Sequence, residues 1–302
     1  MKVLSDVECV AVSKDDRFIA AGSIWGDVLV WDGTTYEQVF AGKITGGTTI
    51  YDVDFSPDSS RLVSADEKSR TAPIWNVAAR KKVRTLDHGQ SVLAAKYSPQ
   101  GDRIATAAVK SVRVWGSDDG QLLVKIKVLE LIPWHGLLWF NNHLFVKTKD
   151  STIRQIDAST GSTISKWIVP GDNYSCIALP QHEKFLAHST ENNITFWDTK
   201  THIQLALIPR SGQSCSVAFF PDDRLAIVAQ EHKIIIGDLF HIIVRLHTNK
   251  LHLSSAPHTQ GAGYSYQKGS ALCMEKQSPH KGRSATNCSH PNVRGYDPRC
   301  SR

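Results

Sequence analysis

The stretch DVLVWDGTT, residues 27–35, is a short apolar strand that ends on Trp31-Asp32 and turns at once. The ending returns. APIWNVA stops at Trp75-Asn76, SVRVWGS at Trp115-Gly116 and NITFWDT at Trp197-Asp198. Two degenerate copies fill the rhythm, TIRQIDA at Ile156-Asp157 and KIIIGDL at Gly237-Asp238. The intervals between the first positions of these pairs are 44, 40, 41, 41 and 40 residues. A period so regular marks a tandem array whose units share one core.

Each unit reads as four short strands with polar turns. In the second unit IYDVDFSP alternates through Val53 and Phe55 and halts at the turn signal Pro57-Asp58. RLVSAD, TAPIWN and KKVRTL follow as second, third and fourth strands, and the third unit repeats the scheme with VLAAKYSP, RIATAA, SVRVW and QLLVKIK. Strand-length runs without a helical period predict an all-β fold. One such sheet cannot bury both faces alone, so a radial stack is expected, a β-propeller of four-stranded antiparallel blades. Trp31, Trp75, Trp115 and Trp197 are read as apolar plates packed between blades, with the polar residue after each opening the turn. The small residues of FIAAGS, RLVSAD and RIATAA suit close contact near a central axis.

These units resemble the WD-repeat β-propeller family, on the strength of FSPDSSRLVSAD (55–66), YSPQGDRIATAA (97–108), VLVWD and ITFWD. The resemblance covers about residues 5–245. It implies a protein-interaction scaffold of four-stranded blades, each braced by a His, a Ser/Thr, an Asp and the Trp. His88 is the good His match, but its blade has Val109 or Lys110 where the Asp should stand. Asp150 matches in the unit where Ile156 replaces the Trp, and Glu191 and Glu231 stand in elsewhere. Six blades are expected from six third strands, with seven as the alternative. The last blade takes its fourth strand from HIIVRL (241–246), or from MKVL at the other end of the chain.

Composition divides the chain in two. Residues 248–302 hold eight Lys/Arg and two acidic residues, so the whole formal excess of +6 lies there and residues 1–247 are neutral. The pI of 8.9 therefore does not make the repeats a nucleic-acid binder. The expected domains are a propeller over 1–247 and a disordered, basic, Ser/Gly/Pro/His-rich tail over 248–302. Weak nucleic-acid contact is left to that tail. No apolar run approaches a membrane span, and Asp6 and Glu8 interrupt what a signal peptide would need. A monomeric cytoplasmic protein is expected, with the nucleus as the alternative. Cys9, Cys176 and Cys215 fall in strand patterns as small hydrophobes and outline no disulfide framework.

The motifs of catalysis are incomplete. AGKIT has the lysine of a phosphate loop without the upstream glycine, and GAGYSYQKG follows no strand. His182, Glu183 and His188 lie on a turn and a strand, not on the single helix a zinc protease needs. Cys273, His280, Cys288, His290 and Cys300 lack the short clamps of structural zinc sites. No catalytic residue, metal or cofactor is expected. The expected function is a non-catalytic scaffold or adaptor that binds other proteins. The alternative is a propeller enzyme or small-molecule binder using the central channel, against which the inner strands read as mostly apolar and small.

In a four-stranded meander the fourth-to-first and second-to-third connections emerge on one side. Aligning units on Val12, Phe55 and Tyr97 places Asp6, Glu8, Thr49, Tyr51, Ser91 and Leu93 at first-strand starts on that side. Asn173 and Gln213 join them, with Trp134 in a shortened unit and Trp25 in the adjoining turn. Trp25, Tyr51 and Trp134 are expected to dominate binding, because a held aromatic offers large contact area at low entropic cost.

Overall fold

The computed structural model describes residues 6–44, 46–128, 136–170, 176–180, 184–190, 192–209, 216–219, 225–229 and 233–237. The chain divides into the units Met1–Ser265 and Tyr266–Arg302, and every described residue lies in the first. HIIVRL, MKVL and the basic tail fall outside the described residues.

Among the described residues the chain is all strand and turn. Blade 1 is β1 (Val7–Val12), β2 (Phe18–Ser23), β3 (Asp27–Asp32) and β4 (Gln38–Lys43). Blade 2 is β5 (Ile50–Phe55), β6 (Arg61–Asp66), β7 (Thr71–Asn76) and β8 (Lys81–Asp87). Blade 3 is β9 (Val92–Tyr97), β10 (Arg103–Ala108), β11 (Ser111–Gly116) and β12 (Leu122–Lys127). Blade 4 is β13 (Leu137–Phe140), β14 (His143–Lys147), β15 (Thr152–Asp157) and β16 (Thr163–Ile168). Blade 5 is β17 (Cys176–Ala178), β18 (Phe185–Ser189), β19 (Asn193–Asp198) and β20 (Gln204–Pro209). A sixth sheet shows β21 (Ser216–Phe219), β22 (Leu225–Ala229) and β23 (Lys233–Gly237). Each of the five complete sheets is an antiparallel meander in chain order, as the repeats require of a β-propeller.

The first strands line the axis, β1 beside β5, β5 beside β9, β9 beside β13, β13 beside β17 and β17 beside β21. The small residues of the second strands serve a different neighbour from the one the sequence suggests. β2 lies against β5, β6 against β9 and β18 against β21, so these second strands accept the next blade's first strand. A Cβ on Gly22 would stand 2.5 Å from Cγ2 of Ile50.

Trp75, Trp115 and Trp197 are seated at the seams. Trp75, 4% exposed, packs with Phe40 of blade 1, their ring centroids 5.6 Å apart. Its six-membered ring lies where a Cβ on Gly42 would be, 2.7 Å away. Trp115 joins Leu86 and Ile74 of blade 2, and Trp197 joins Phe145 and Trp167 of blade 4. Trp31 is buried in a cluster with Ala21 and Leu29 of its own blade. The indoles of Trp75, Trp115 and Trp197 each find an acceptor on their own blade, whereas the buried Nε1 of Trp167 has no hydrogen-bond partner. Trp75 Nε1 donates to Ser64 Oγ at 2.9 Å, Trp115 Nε1 to Thr106 Oγ1 at 2.7 Å and Trp197 Nε1 to Thr195 Oγ1 at 2.9 Å. A buried indole that keeps its hydrogen bond adds apolar area without an unsatisfied donor.

The carboxylate after the tryptophan closes the next turn. Asp32 Oδ1 accepts the N–H groups of Thr34 and Thr35 at 2.9 and 2.8 Å, which hold its carboxyl below the ordinary range. Asp198 does the same for Lys200 and Thr201, and Asp157 for Ser159 and Thr160 where Ile156 has replaced the tryptophan. The bracing tetrad is partial. His88 is 1% exposed and meets Trp115 edge-on, yet neither ring nitrogen has a hydrogen-bond partner. Burial, with Arg113 nearby, lowers its pKa to about 4. Trp167, on the fourth strand of blade 4, is one seam aromatic the Trp-Asp pattern does not flag. It stacks on His202 at 4.5 Å.

Candidate functional site

The meander does bring the first-strand starts and the second-to-third turns to one end of the blades. Ile24 N–H donates to Asp6 O at 3.1 Å, and Glu67 N–H donates to Thr49 O at 3.2 Å. Trp25 stands at the tip of such a turn. Ser23 Oγ accepts the N–H groups of Trp25 and Asp27 at 3.2 and 3.0 Å and donates to Asp27 Oδ2 at 3.1 Å. Gly26, at φ +83°, supplies the left-handed backbone that brings the chain back. The indole above this braced turn is 55% exposed, an apolar plate on a rigid support.

Tyr51 lies half-buried, packed against the apolar cluster that contains Leu93. Burial, with Glu67 both charged and hydrogen-bonded to the phenol, pushes its pKa up to about 12. Asp6 is exposed, while Glu8, Thr49 and Ser91 are partly exposed. Leu93 is placed differently from a rim residue. At 7% exposed it packs with Ala94, Ala105 and Leu137, because an apolar side chain one residue inside the strand turns toward the neighbouring blade. Trp134, Asn173 and Gln213 lie outside the described residues.

The inner strands are not only apolar and small. Asp52 and Asp54 on β5 reach across to β9, where Asp52 Oδ2 accepts Ala95 N–H at 3.2 Å and Asp54 Oδ2 accepts Tyr97 N–H at 2.7 Å. Lys96 bridges both, 2.9 Å from Asp52 Oδ1 and 3.8 Å from Asp54 Oδ1. These bonds occupy donors on an edge of β9 that no sheet partner covers. Burial pushes Asp54 up to about 6, against the pull of Lys96 and with the added push of Asp52. Burial works against the Lys96 charge, but the two carboxylates hold its pKa above the ordinary value. In sequence these charges are hidden in an alternation whose other members, Val53 and Phe55, mark the core. Cys9 forms the corresponding link one blade earlier, its thiol donating to Ile50 O at 3.3 Å. Burial pushes that thiol up, away from reactive thiolate. Among the described residues no group of three His, Cys, Asp or Glu is arranged to hold a metal ion, and no helix is long and apolar enough to cross a membrane.

Four-stranded blades, seam tryptophans and a loop rim around first strands define a repeat propeller. The WD domain, G-beta repeat family profile matches residues 4–32, 35–76 and 80–124. Residues 4–124 thus carry the WD-repeat pattern of that family. It is similar to WD repeat-containing protein 1 of Gallus gallus, 28% identical over 203 residues, which are 65% of this chain and 27% of that protein. Against the Bos taurus protein of the same name it is 37% identical over 89 residues, 29% of this chain and 14% of the relative. Actin-interacting protein 1 of Drosophila melanogaster is 30% identical over 110 residues, 35% of this chain and 18% of that protein. The chain thus spans about a quarter of the length of the longest-matching curated relatives.

Proposed function

We propose that this chain is a non-catalytic interaction module, and that it binds a protein partner on the rim formed by the first-strand starts and the second-to-third turns. The observation that carries the reading is Trp25, 55% exposed on a turn locked by Ser23 and Asp27. A large exposed aromatic on a pre-ordered support loses little freedom on binding, which is the property of interface hot spots. Asp6, Glu8, Tyr51, Thr49 and Ser91 extend the rim, and Glu67 beside Tyr51 gives it acidic character. Trp134, Asn173 and Gln213 belong to the same proposed face, while Leu93 supports it from beneath.

One relative is named for interacting with actin, so actin is the first partner to test. The experiment is sedimentation of the full chain with actin filaments, beside binding to monomeric actin. Trp25→Ala is expected to weaken the interaction by roughly 1–3 kcal/mol with an unchanged melting temperature. Parent and variant binding alike would move the site off this rim. The module is proposed to act as a soluble cytoplasmic monomer.

A further inference from the structure

At the opposite end of the inner strands, where first-to-second turns emerge, residues of four blades line an open pocket of about 250 Å³. Val12, Asp54, Phe55, Tyr97 and Trp139 line it, with Lys14 alongside. Ligand pockets for whole metabolites commonly run from about 300 Å³ upward, so this space fits one long side chain. Its walls mix apolar faces from Val12, Phe55, Pro57, Pro99 and Trp139 with polar ones from Lys14, Asp54 and Ser98. Val12 is 57% exposed and Phe55 7%, and Trp139 is fixed by its Nε1 donating to Asn141 O at 3.0 Å.

The charge on its inner wall is out of balance. Two carboxylates, Asp52 and Asp54, share the single ammonium of Lys96, which sits close to Asp52 and 3.8 Å from Asp54. The carboxylate left the poorer is the one that lines the cavity. Asp54 has one oxygen engaged by Tyr97 N–H and is still 27% exposed. Tyr97 itself is 5% exposed, and its hydroxyl has no hydrogen-bond partner. A carboxylate short of countercharge beside apolar faces matches a side chain that carries its charge at the end of an aliphatic stem. Lys14 also lines the pocket but is exposed to solvent.

We propose that this cavity is a second binding site, which accepts one arginine or lysine side chain presented by a protein partner. The cationic head lies against Asp54 and the stem against Val12, Phe55 and Trp139. The site is at the other end of the blades from Trp25 and does not depend on the rim proposed above.

The probes are N-acetyl-arginine amide, its lysine counterpart and the neutral isostere N-acetyl-citrulline amide, titrated into the full chain while the indole N–H resonance of Trp139 is followed. Saturable shifts are expected for the two cations, with citrulline at least tenfold weaker. Asp54→Asn keeps an acceptor for Tyr97 N–H and should weaken the arginine probe at least tenfold. Val12→Arg places a guanidinium at the mouth and should abolish the shift, which gives an independent reading should Asp54→Asn not fold. Citrulline binding as well as arginine, or either folded variant binding arginine like the parent, overturns the proposal. So does a Trp139 resonance that moves with neither cation.

Discussion

Blades 1 and 2 carry the same pattern but bury it differently. In β5 the positions Val53 and Phe55 are 1% and 7% exposed, and in β9 the matching Ala95 and Tyr97 are 0% and 5%. Their counterparts in β1, Val10 and Val12, are 56% and 57% exposed. The opposite face of β1 is covered, since Cys9 packs with Ile50 and Val53 of blade 2. A repeat unit therefore specifies which residues can be buried, while its neighbour decides whether they are. The exposed valines of blade 1 leave one wall of the inner cavity open, and Val12 lines that cavity.

The contrast can be broken most directly at a closed seam. Trp75→Ala removes an aromatic held between Phe40, Gly42 and its own Ser64 partner, and should cost about 3–5 kcal/mol in chemical denaturation. A midpoint equal to the parent's would mean that the blade 1–blade 2 seam contributes little. Filling the same seam from the other side should also destabilise, by about 1–3 kcal/mol for Gly42→Leu, since the new side chain meets the Trp75 ring.

Proton linkage sharpens the comparison at the next seam. His88 is buried with a folded pKa near 4, below the unfolded value of about 6.5. The unfolded chain binds the extra proton first, so stability is full above about pH 6.5 and falls as the pH drops toward 4. Between pH 7 and pH 5 this group alone should remove about 2 kcal/mol, and His88→Leu should flatten that part of the profile. Asp54 works in the other direction. Its folded pKa of about 6 lies above the unfolded value of about 3.9, so its contribution is lost as pH rises through 4 to 6. An unaltered profile in the His88 variant would locate the acid sensitivity elsewhere.

The valines give the smallest effects and the cleanest pairing. Val53→Ala should cost about 2 kcal/mol, against no more than about 0.5 kcal/mol for Val10→Ala. Equal costs would show that blade 1 is covered in solution. Deletion of 248–302 is expected to leave the β-sheet circular dichroism of the repeats unchanged, because that segment has no core-forming pattern.

Much of the fold was legible because its determinants are local and repeated. Trp75 and Trp115 announce third-strand ends, and Asp32 and Asp198 announce the turns by taking two backbone N–H groups each. FSPDSS announces a hairpin that the structure closes with Ser56 Oγ accepting Arg61 N–H at 2.9 Å. The rim was legible in part. Trp25 could be placed at an exposed turn by counting, but Leu93, one residue beyond a strand start, could not be told from a rim residue without its neighbours. Trp167 was missed because it is an aromatic outside the Trp-Asp pattern.

The sequence by itself determined the period, the strands, the turns and the indoles that separate blades, since each follows from hydrogen bonds or packing within about one repeat. Tertiary structure alone decided which of the equivalent inner positions are covered. It also set Lys96 between two acids from the preceding unit, 44 and 42 residues upstream, and left Asp54 the less neutralised of the two. Such choices depend on charges and surfaces brought together across seams, where burial and electrostatic pairing are properties of the assembled blades and no single repeat encodes them.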